Sequence, residues 1–168
     1  MLHLAEARLE VASWAPPGNF AEWLAYLRDS ERGATGTALS DYLENLLLDH
    51  VLGKTTYTGP TTTYIAAYTV APADAGGGTE VTGGSYARVA YTNNVTNWPN
   101  ASGGSKSNGV TIDFGTATAN WGTIVAVAII DAVTAGNFMF YGLMVASKTV
   151  NSGDGFRFLA SKLSVALD

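Results

Sequence analysis

The side chains that could carry out nucleophilic hydrolysis are few in this sequence. A hydrolase needs a nucleophile beside a positioned base, and the chain contains only two histidines, His3 and His50. His50 lies near the end of a predicted helix, where a histidine commonly interacts with exposed backbone carbonyls. No serine lies in a Gly-x-Ser-x-Gly turn. We therefore do not expect catalysis by a serine, histidine and aspartate.

Paired carboxylates could instead hydrolyse a glycosidic bond. Beyond residue 38, most acidic residues fall in the predicted helix or beside glycine in turns. Only Asp113 and Asp131 interrupt or end strongly apolar strands. An outward-facing strand aspartate and an aspartate at a strand end are both ordinary in sheets, so we do not predict a catalytic pair.

Metal and phosphate sites lack their usual ligands. The absence of cysteine and the two separated histidines disfavour zinc. The best calcium candidate, Asn151 to Gly155, misses the length and the terminal glutamate of an EF-hand loop, and a tight hairpin turn explains it better. Gly76 to Gly78 are not followed by Lys-Ser/Thr and a helix, as a phosphate-binding loop requires. We expect no enzyme activity, cofactor or metal.

Composition favours strands over helices and argues against two classes of partner. Apolar residues make up 47% of the chain and charged residues 14%, against roughly 25% charged in average soluble domains. The net charge is −5 and the cations are scattered, which disfavours nucleic acid. The longest apolar run, Ile124 to Ile130, is far shorter than the roughly 20 residues of a membrane-spanning helix.

The pattern of residues changes from helical to extended near residue 54. Residues 39–53 predict a helix, with Ser40 as its cap and Gly53 as its terminator. From Thr55 onward the apolar period is two, with turn clusters between the segments. We therefore predict an antiparallel β-sandwich or jelly-roll-like domain preceded by N-terminal helices. The predicted strands are Thr61–Val70, Tyr86–Thr92, Val110–Phe114, Trp121–Ile130, Phe138–Val145, Phe156–Leu159 and Leu163–Leu167.

Residues 1–38 predict a helical N-terminal arm ahead of a domain of a helix plus β-sandwich over 39–168. Asn19 can cap a helix that presents Phe20, Trp23, Leu24 and Leu27 on one face. A segment of this length cannot bury that face by itself. It either folds back on its own domain or reaches a neighbouring subunit, and the sequence leaves both possibilities open.

The longest irregular stretch, Asn93 to Asn108, contains Trp98 among Asn, Ser and Gly. A long loop in a small domain is often functional, and tryptophan is enriched at binding hot spots. Trp98 is therefore a possible loop contact. The alternative is that it folds down as a lid over the end of the sandwich.

Several short motifs, in a fixed order, carry a family resemblance across residues 39–168. They are Leu39-Ser40-Asp41-Tyr42-Leu43-Glu44-Asn45, Asp49-His50-Val51-Leu52, Gly83-Gly84-Ser85-Tyr86-Ala87-Arg88, Thr96-Asn97-Trp98-Pro99, Gly103-Gly104-Ser105-Lys106-Ser107-Asn108-Gly109, Phe114-Gly115-Thr116-Ala117-Thr118, Trp121-Gly122-Thr123, Ile130-Asp131-Ala132, Ser147-Lys148-Thr149-Val150 and Asn151-Ser152-Gly153-Asp154. This stretch resembles small phage virion proteins, common in siphophages, that are labelled tail-fibre-like or head-decoration proteins.

The resemblance implies a structural role in a virion. The leading interpretation is a capsid decoration, or cement, protein that forms trimers on the outer capsid surface and clamps major capsid protein subunits, with the arm along a neighbour. The alternative is a tail-fibre or tail-tip module for host recognition, in which exposed rings such as Trp98 and Tyr91 stack on surface glycans. Both interpretations make the chain's partners polypeptides or glycans, not nucleic acid or membrane.

Overall fold

The strands follow the period-two pattern of the sequence, so the expected mainly β class is confirmed. A computed structural model describes residues 38–167, and that range contains ten strands and one helix. The elements in chain order are β1 (Ala38–Leu39), α1 (Asp41–Val51), β2 (Thr62–Val70), β3 (Thr79–Glu80), β4 (Val89–Thr92), β5 (Ser105–Ser107), β6 (Ile112–Thr116), β7 (Gly122–Ile130), β8 (Phe138–Val150), β9 (Gly155–Phe158) and β10 (Ser164–Ala166). The predicted arm helices lie outside the described residues.

Helix α1 begins where the sequence predicts, at a serine cap. The Ser40 hydroxyl accepts a hydrogen bond from the Leu43 amide at 3.3 Å and donates one to the Phe138 carbonyl. It thereby satisfies one of the free amides of the first turn and ties the helix start to β8. The helix ends at Val51 with Leu52 as its C-cap, immediately before the predicted terminator Gly53, and Lys54 beyond it adopts a positive φ of 67°.

One large antiparallel sheet forms the framework, in the order β1-β8-β7-β2, with both β3 and β4 pairing along β2. Ile65 of β2 lies opposite Ile129 of β7, and Ala128 of β7 lies opposite Tyr141 of β8. Three very short strands, β1, β3 and β5, were not predicted, because two or three residues are too few to show an apolar period.

The second layer consists of two small ladders, β6 with β9 and β5 with β10. Phe114 of β6 and Phe156 of β9 are buried with ring centroids 5.1 Å apart, and they join the core on the inner face of the large sheet. Sheet and ladders together form the predicted sandwich-like arrangement. Buried members of this inner core include Ile65, Ala67, Val81, Tyr91, Ile112, Ala117, Trp121, Ile124, Val127, Ile129, Val150 and Leu163.

The two central strands, β2 and β7, are buried on both faces. Side chains on the inner face include Ile65 and Ile129. On the outer face, Ala66 and Ala128 lie in a second cluster of buried residues with Tyr68, whose ring centroid is 6.0 Å from that of Phe138. Burial removes the Tyr68 phenol from water and raises its pKa to about 12. The strict inside-and-outside alternation of a half-exposed sheet therefore does not apply here.

An ion pair fastens one edge of the large sheet to the loop between β7 and β8. The Arg88 guanidinium binds the Glu80 carboxylate through two nitrogens, at 2.9 and 2.8 Å. It also donates to the carbonyls of Ala132 and Ala135, each at 2.8 Å. The Tyr86 hydroxyl donates to the same carboxylate, and burial raises the pKa of this phenol above its ordinary value. The Gly83–Arg88 motif thus has a structural role.

Strand β8 is longer than predicted, and its pairing with β7 is interrupted by a bulge. Its register on β7 shifts between Leu143, opposite Ala126, and Lys148, opposite Ile124. The following turn over residues 151–154 was predicted to close a hairpin, and this prediction is wrong. It connects β8 of the large sheet to β9 of a separate ladder, with the Asp154 carboxylate accepting the Asn151 amide at 2.9 Å.

A buried asparagine joins the long loop to the C-terminal strands. The Asn108 side chain, 0% exposed, donates to the carbonyls of Val110 and Leu159 and accepts from the amides of Lys162 and Leu163, all at 2.8–3.0 Å. Its amide group therefore uses both donors and accepts two further bonds.

Gly109 next to it has no room for a side chain. An added Cβ would lie 2.1 Å from the Thr96 carbonyl oxygen. The Asn-Gly pair consequently fixes the path of the loop.

Replacing Asn108 with alanine should lower the free energy of unfolding by about 3 kcal/mol, because several buried backbone groups lose their partner. Urea unfolding followed by circular dichroism measures the change. The matched control is Asn100→Ala at an exposed position, where a change within about 0.5 kcal/mol is expected. Equal effects of the two substitutions would contradict this role for Asn108.

Candidate functional site

An open apolar cleft lies beneath α1. Its volume is about 600 Å³, within the range of ligand-sized clefts. One wall is α1, the floor is the large sheet, and the other walls are the long loop and the C-terminal strand. The apolar lining residues are Leu43, Leu47, Tyr57, Pro60, Val95, Trp98, Ala101, Ile129, Met139, Phe140, Val165 and Leu167.

Helix α1 forms one wall of the cleft, and its buried anchor lies near its start. Leu43 is buried, at 3% exposure, and Leu47 one turn later is half-buried. Val51, on the same apolar stripe, is 73% exposed. Among the described residues, the apolar stripe therefore becomes progressively more exposed toward the C-terminal end of the helix.

The loop predicted to carry an exposed tryptophan is folded down against the domain. Asn94 initiates a turn by accepting the amides of Thr96 and Asn97, both at 2.9 Å. Trp98 is 8% exposed and packs edge-on against Tyr91, which is 4% exposed, with centroids 5.2 Å apart. The structure therefore favours the lid interpretation of Trp98, and neither ring is exposed for stacking on sugars. Trp98 contributes to the cleft wall instead.

The polar side chains of the cleft mostly form hydrogen bonds to other residues of its walls. Asn93 accepts a hydrogen bond from the Thr63 hydroxyl at 3.0 Å and donates to the Pro60 carbonyl at 2.7 Å. Lys106 is exposed and places a positive charge at the rim of the cleft. The cleft thus offers apolar contact far more than hydrogen bonding.

The residues considered for catalysis each hold a turn or loop. The His50 imidazole accepts the Tyr57 amide at 3.2 Å through Nδ1, so its partner is an amide and not the helix carbonyls predicted. The Asp113 carboxylate accepts the Gly115 amide at 2.8 Å. Asp131 binds the backbone and side-chain amides of Asn137 at 2.7 and 2.9 Å.

Three carboxylates that the sequence analysis did not group lie together at the surface. Oxygen atoms of Asp41, Glu44 and Asp74 lie within 4.8 Å of one another, and all three residues are exposed. Burial and these neighbouring negative charges raise the pKa of the Tyr141 phenol. The sequence shows Asp41 and Glu44 at i, i+3 on α1, a spacing that places them on one face of the helix. That Asp74 lies close to both depends on the fold and could not be predicted from the sequence. Exposed carboxylates often cluster in this way without a bound ion.

The predicted arm contacts Phe20, Trp23, Leu24 and Leu27 lie outside the described residues. In the part of the chain that is described, no helix is long and apolar enough to cross a membrane.

The part of the sequence that forms this fold and its cleft matches the model of a known protein family. A family model described as podophage GP4 fiber I protein gp80 matches residues 38–166. The chain belongs to this family. No curated protein matches the sequence. Membership makes the chain a structural protein of the phage virion.

The family description narrows the resemblance drawn from the sequence motifs. It names a podophage where the resemblance named siphophages, and a fibre protein where the leading interpretation was a capsid decoration protein. The match therefore supports the fibre alternative better than the decoration role. Residues 1–37 lie outside the match.

In this member of the gp80 fibre family, Leu43→Ala should lower the free energy of unfolding by about 2–4 kcal/mol, because it removes the buried anchor of α1. Chemical denaturation provides the measurement. Leu48→Ala on the same helix is the matched control, since Leu48 is 57% exposed and its loss should cost less than about 0.5 kcal/mol. Similar losses in both variants would show that α1 is not anchored as described.

Proposed function

We propose that this chain is a structural subunit of a phage fibre and that it works through contacts with other polypeptides. The observation that carries the proposal is the family match over residues 38–166, whose description names a fibre protein. The matched range includes every described strand and the helix. The proposal therefore concerns the whole described fold and not one motif within it.

The kind of surface left uncovered supports protein contact over glycan binding. Exposed apolar side chains are mainly aliphatic, at Leu48, Val51, Leu52, Val70, Leu143 and Val145. Sugar recognition by stacking needs the exposed face of an aromatic ring. Among the exposed large apolar side chains of the described residues, Tyr42, at 39%, is the one aromatic residue, and Tyr91, Trp98 and Trp121 are buried. Exposed aliphatic patches are instead typical of contacts between polypeptides.

We further propose that copies of the chain associate through β8 and the outer face beside it. Leu143 and Val145 are 52% and 54% exposed, and Val70 of β2 is 57% exposed. Leu143 lies in register with Ala126, which in turn lies opposite Tyr68. The exposed side chains thus continue an already buried apolar surface. The trimer expected from the family resemblance stays a prediction.

A role without catalysis also fits the local chemistry. The carboxylates of Asp113 and Asp131 bind amides within their own turns. His50 supports the chain after α1 through Tyr57. These bonds give each group a structural role that requires no substrate.

Antibodies against the protein, visualised with gold on intact virions, should label the fibres. The control is a virion preparation incubated with pre-immune serum. Label confined to the head surface would contradict the fibre assignment and support the decoration role. Absence of label together with absence of the protein from purified virions would exclude both.

The double substitution Leu143→Lys with Val145→Lys should shift the purified protein from oligomers to monomers, because it places charge in the aliphatic patch. Light scattering coupled to size-exclusion chromatography measures the mass. The matched control places two lysines at Thr82 and Ala87, exposed positions outside β8, and should leave the mass of the assembly unchanged. A monomeric wild-type protein, or equal dissociation of both variants, would contradict association through this surface.

A further inference from the structure

We propose that the apolar cleft beneath α1 is filled by residues 19–31 of the same chain. The inference concerns what covers the cleft, and it does not depend on the fibre role. Residues 19–31 lie outside the described part of the chain, and the inference rests on the lining of the cleft and on the sequence of this segment.

The lining of the cleft sets the chemistry of its occupant. Leu47, Ile129, Phe140, Val165 and Leu167 come from separate parts of the fold and converge on one open space of about 600 Å³. Filling such a space with apolar side chains contributes roughly 25 cal/mol per Å² of apolar surface removed from water. A polar ligand would find few free partners there, because Asn93 already donates to the Pro60 carbonyl and Asn94 already accepts the Thr96 amide.

The exposed apolar side chains toward the C-terminal end of α1 favour a piece of polypeptide over a small molecule as the occupant. Leu47 is half-buried at the edge of the cleft, and Val51 extends the same stripe into solvent at 73% exposure. An apolar helix face of this kind is normally covered along its whole length. An amphipathic segment alongside α1 would cover both the stripe and the cleft.

The chain itself carries a segment with the required pattern. Phe20, Trp23, Leu24 and Leu27 recur at i, i+3, i+4 and i+7, the spacing of one apolar helix face. Asp29 falls on the opposite side of that predicted helix. These four large side chains match an apolar cleft in chemistry and need a surface on which to be buried.

The connection to β1 places this segment within reach of the cleft. Leu39 lies in register with Phe140, whose side chain lines the cleft, and Ser40 immediately precedes α1. The eleven-residue separation between Leu27 and Ala38 spans at most about 40 Å when extended. A short tether gives an effective concentration in the millimolar range, which favours the chain's own segment over that of another copy.

The absence of cysteine from the sequence allows a direct test in the full-length chain. In the double variant Leu24→Cys with Leu47→Cys, oxidation should form a disulfide within one chain, seen as a faster-migrating monomer in non-reducing electrophoresis. The control pair, Asp29→Cys with Leu47→Cys, places the first cysteine on the opposite face of the predicted helix and should form the bond much less. Disulfide-linked dimers as the main product, or equal bond formation in both pairs, would overturn the proposal.

A second variant tests the filling of the cleft without any cross-link. Trp23→Ser with Leu27→Ser should increase severalfold the fluorescence of an anilinonaphthalene dye, because the apolar cleft becomes accessible to it. Glu22→Ser with Asp29→Ser is the control and should leave the fluorescence unchanged. Unchanged dye fluorescence in the Trp23 and Leu27 variant would contradict occupation of the cleft by this segment.

Discussion

The structure depends on the need to cover both faces of the central strands β2 and β7. Ile65 and Ile129 point to one face, and Ala66 and Ala128 to the other, and all four are buried. The β6–β9 and β5–β10 ladders cover the inner face through the large aromatic core. On the outer face, Phe138 packs with Tyr68 over the small alanines. A sheet that is apolar on both sides cannot be left open to water without losing the main contribution to its stability.

The candidate site is the apolar cleft, where part of the large sheet is not covered by the described residues. Helix α1 is held at Ser40 and Leu43, its later apolar side chains are exposed among the described residues, and an open apolar cleft lies beneath it. On the outer face, β8 continues past Tyr141 with exposed Leu143 and Val145. Polar groups near these surfaces are satisfied within the chain, most clearly in the Arg88 and Glu80 pair. The proposed association by apolar contact rests on these exposed surfaces, and it agrees with membership of a fibre family.

Features with strong local signals were predictable from the sequence, and features made by distant residues were not. The cap at Ser40 and the long strands β2 and β7 follow from residue types within a few positions. The strand β5 consists of polar residues and is paired with β10, which is distant in the sequence. No local residue pattern therefore predicts it. The cleft brings together residues from α1 to the C-terminal strand. Among them, Trp98 was singled out from the sequence as a residue of interest. Its role as a wall instead of a protruding contact is set by packing on Tyr91.

A cryo-electron microscopy reconstruction of the assembled virion would show where this chain lies and what covers it. We expect density for this chain within a fibre, with polypeptide covering both the space beneath α1 and the exposed side chains of β8. Isolated copies with both surfaces open to solvent, or copies placed only on the head shell, would contradict this expectation.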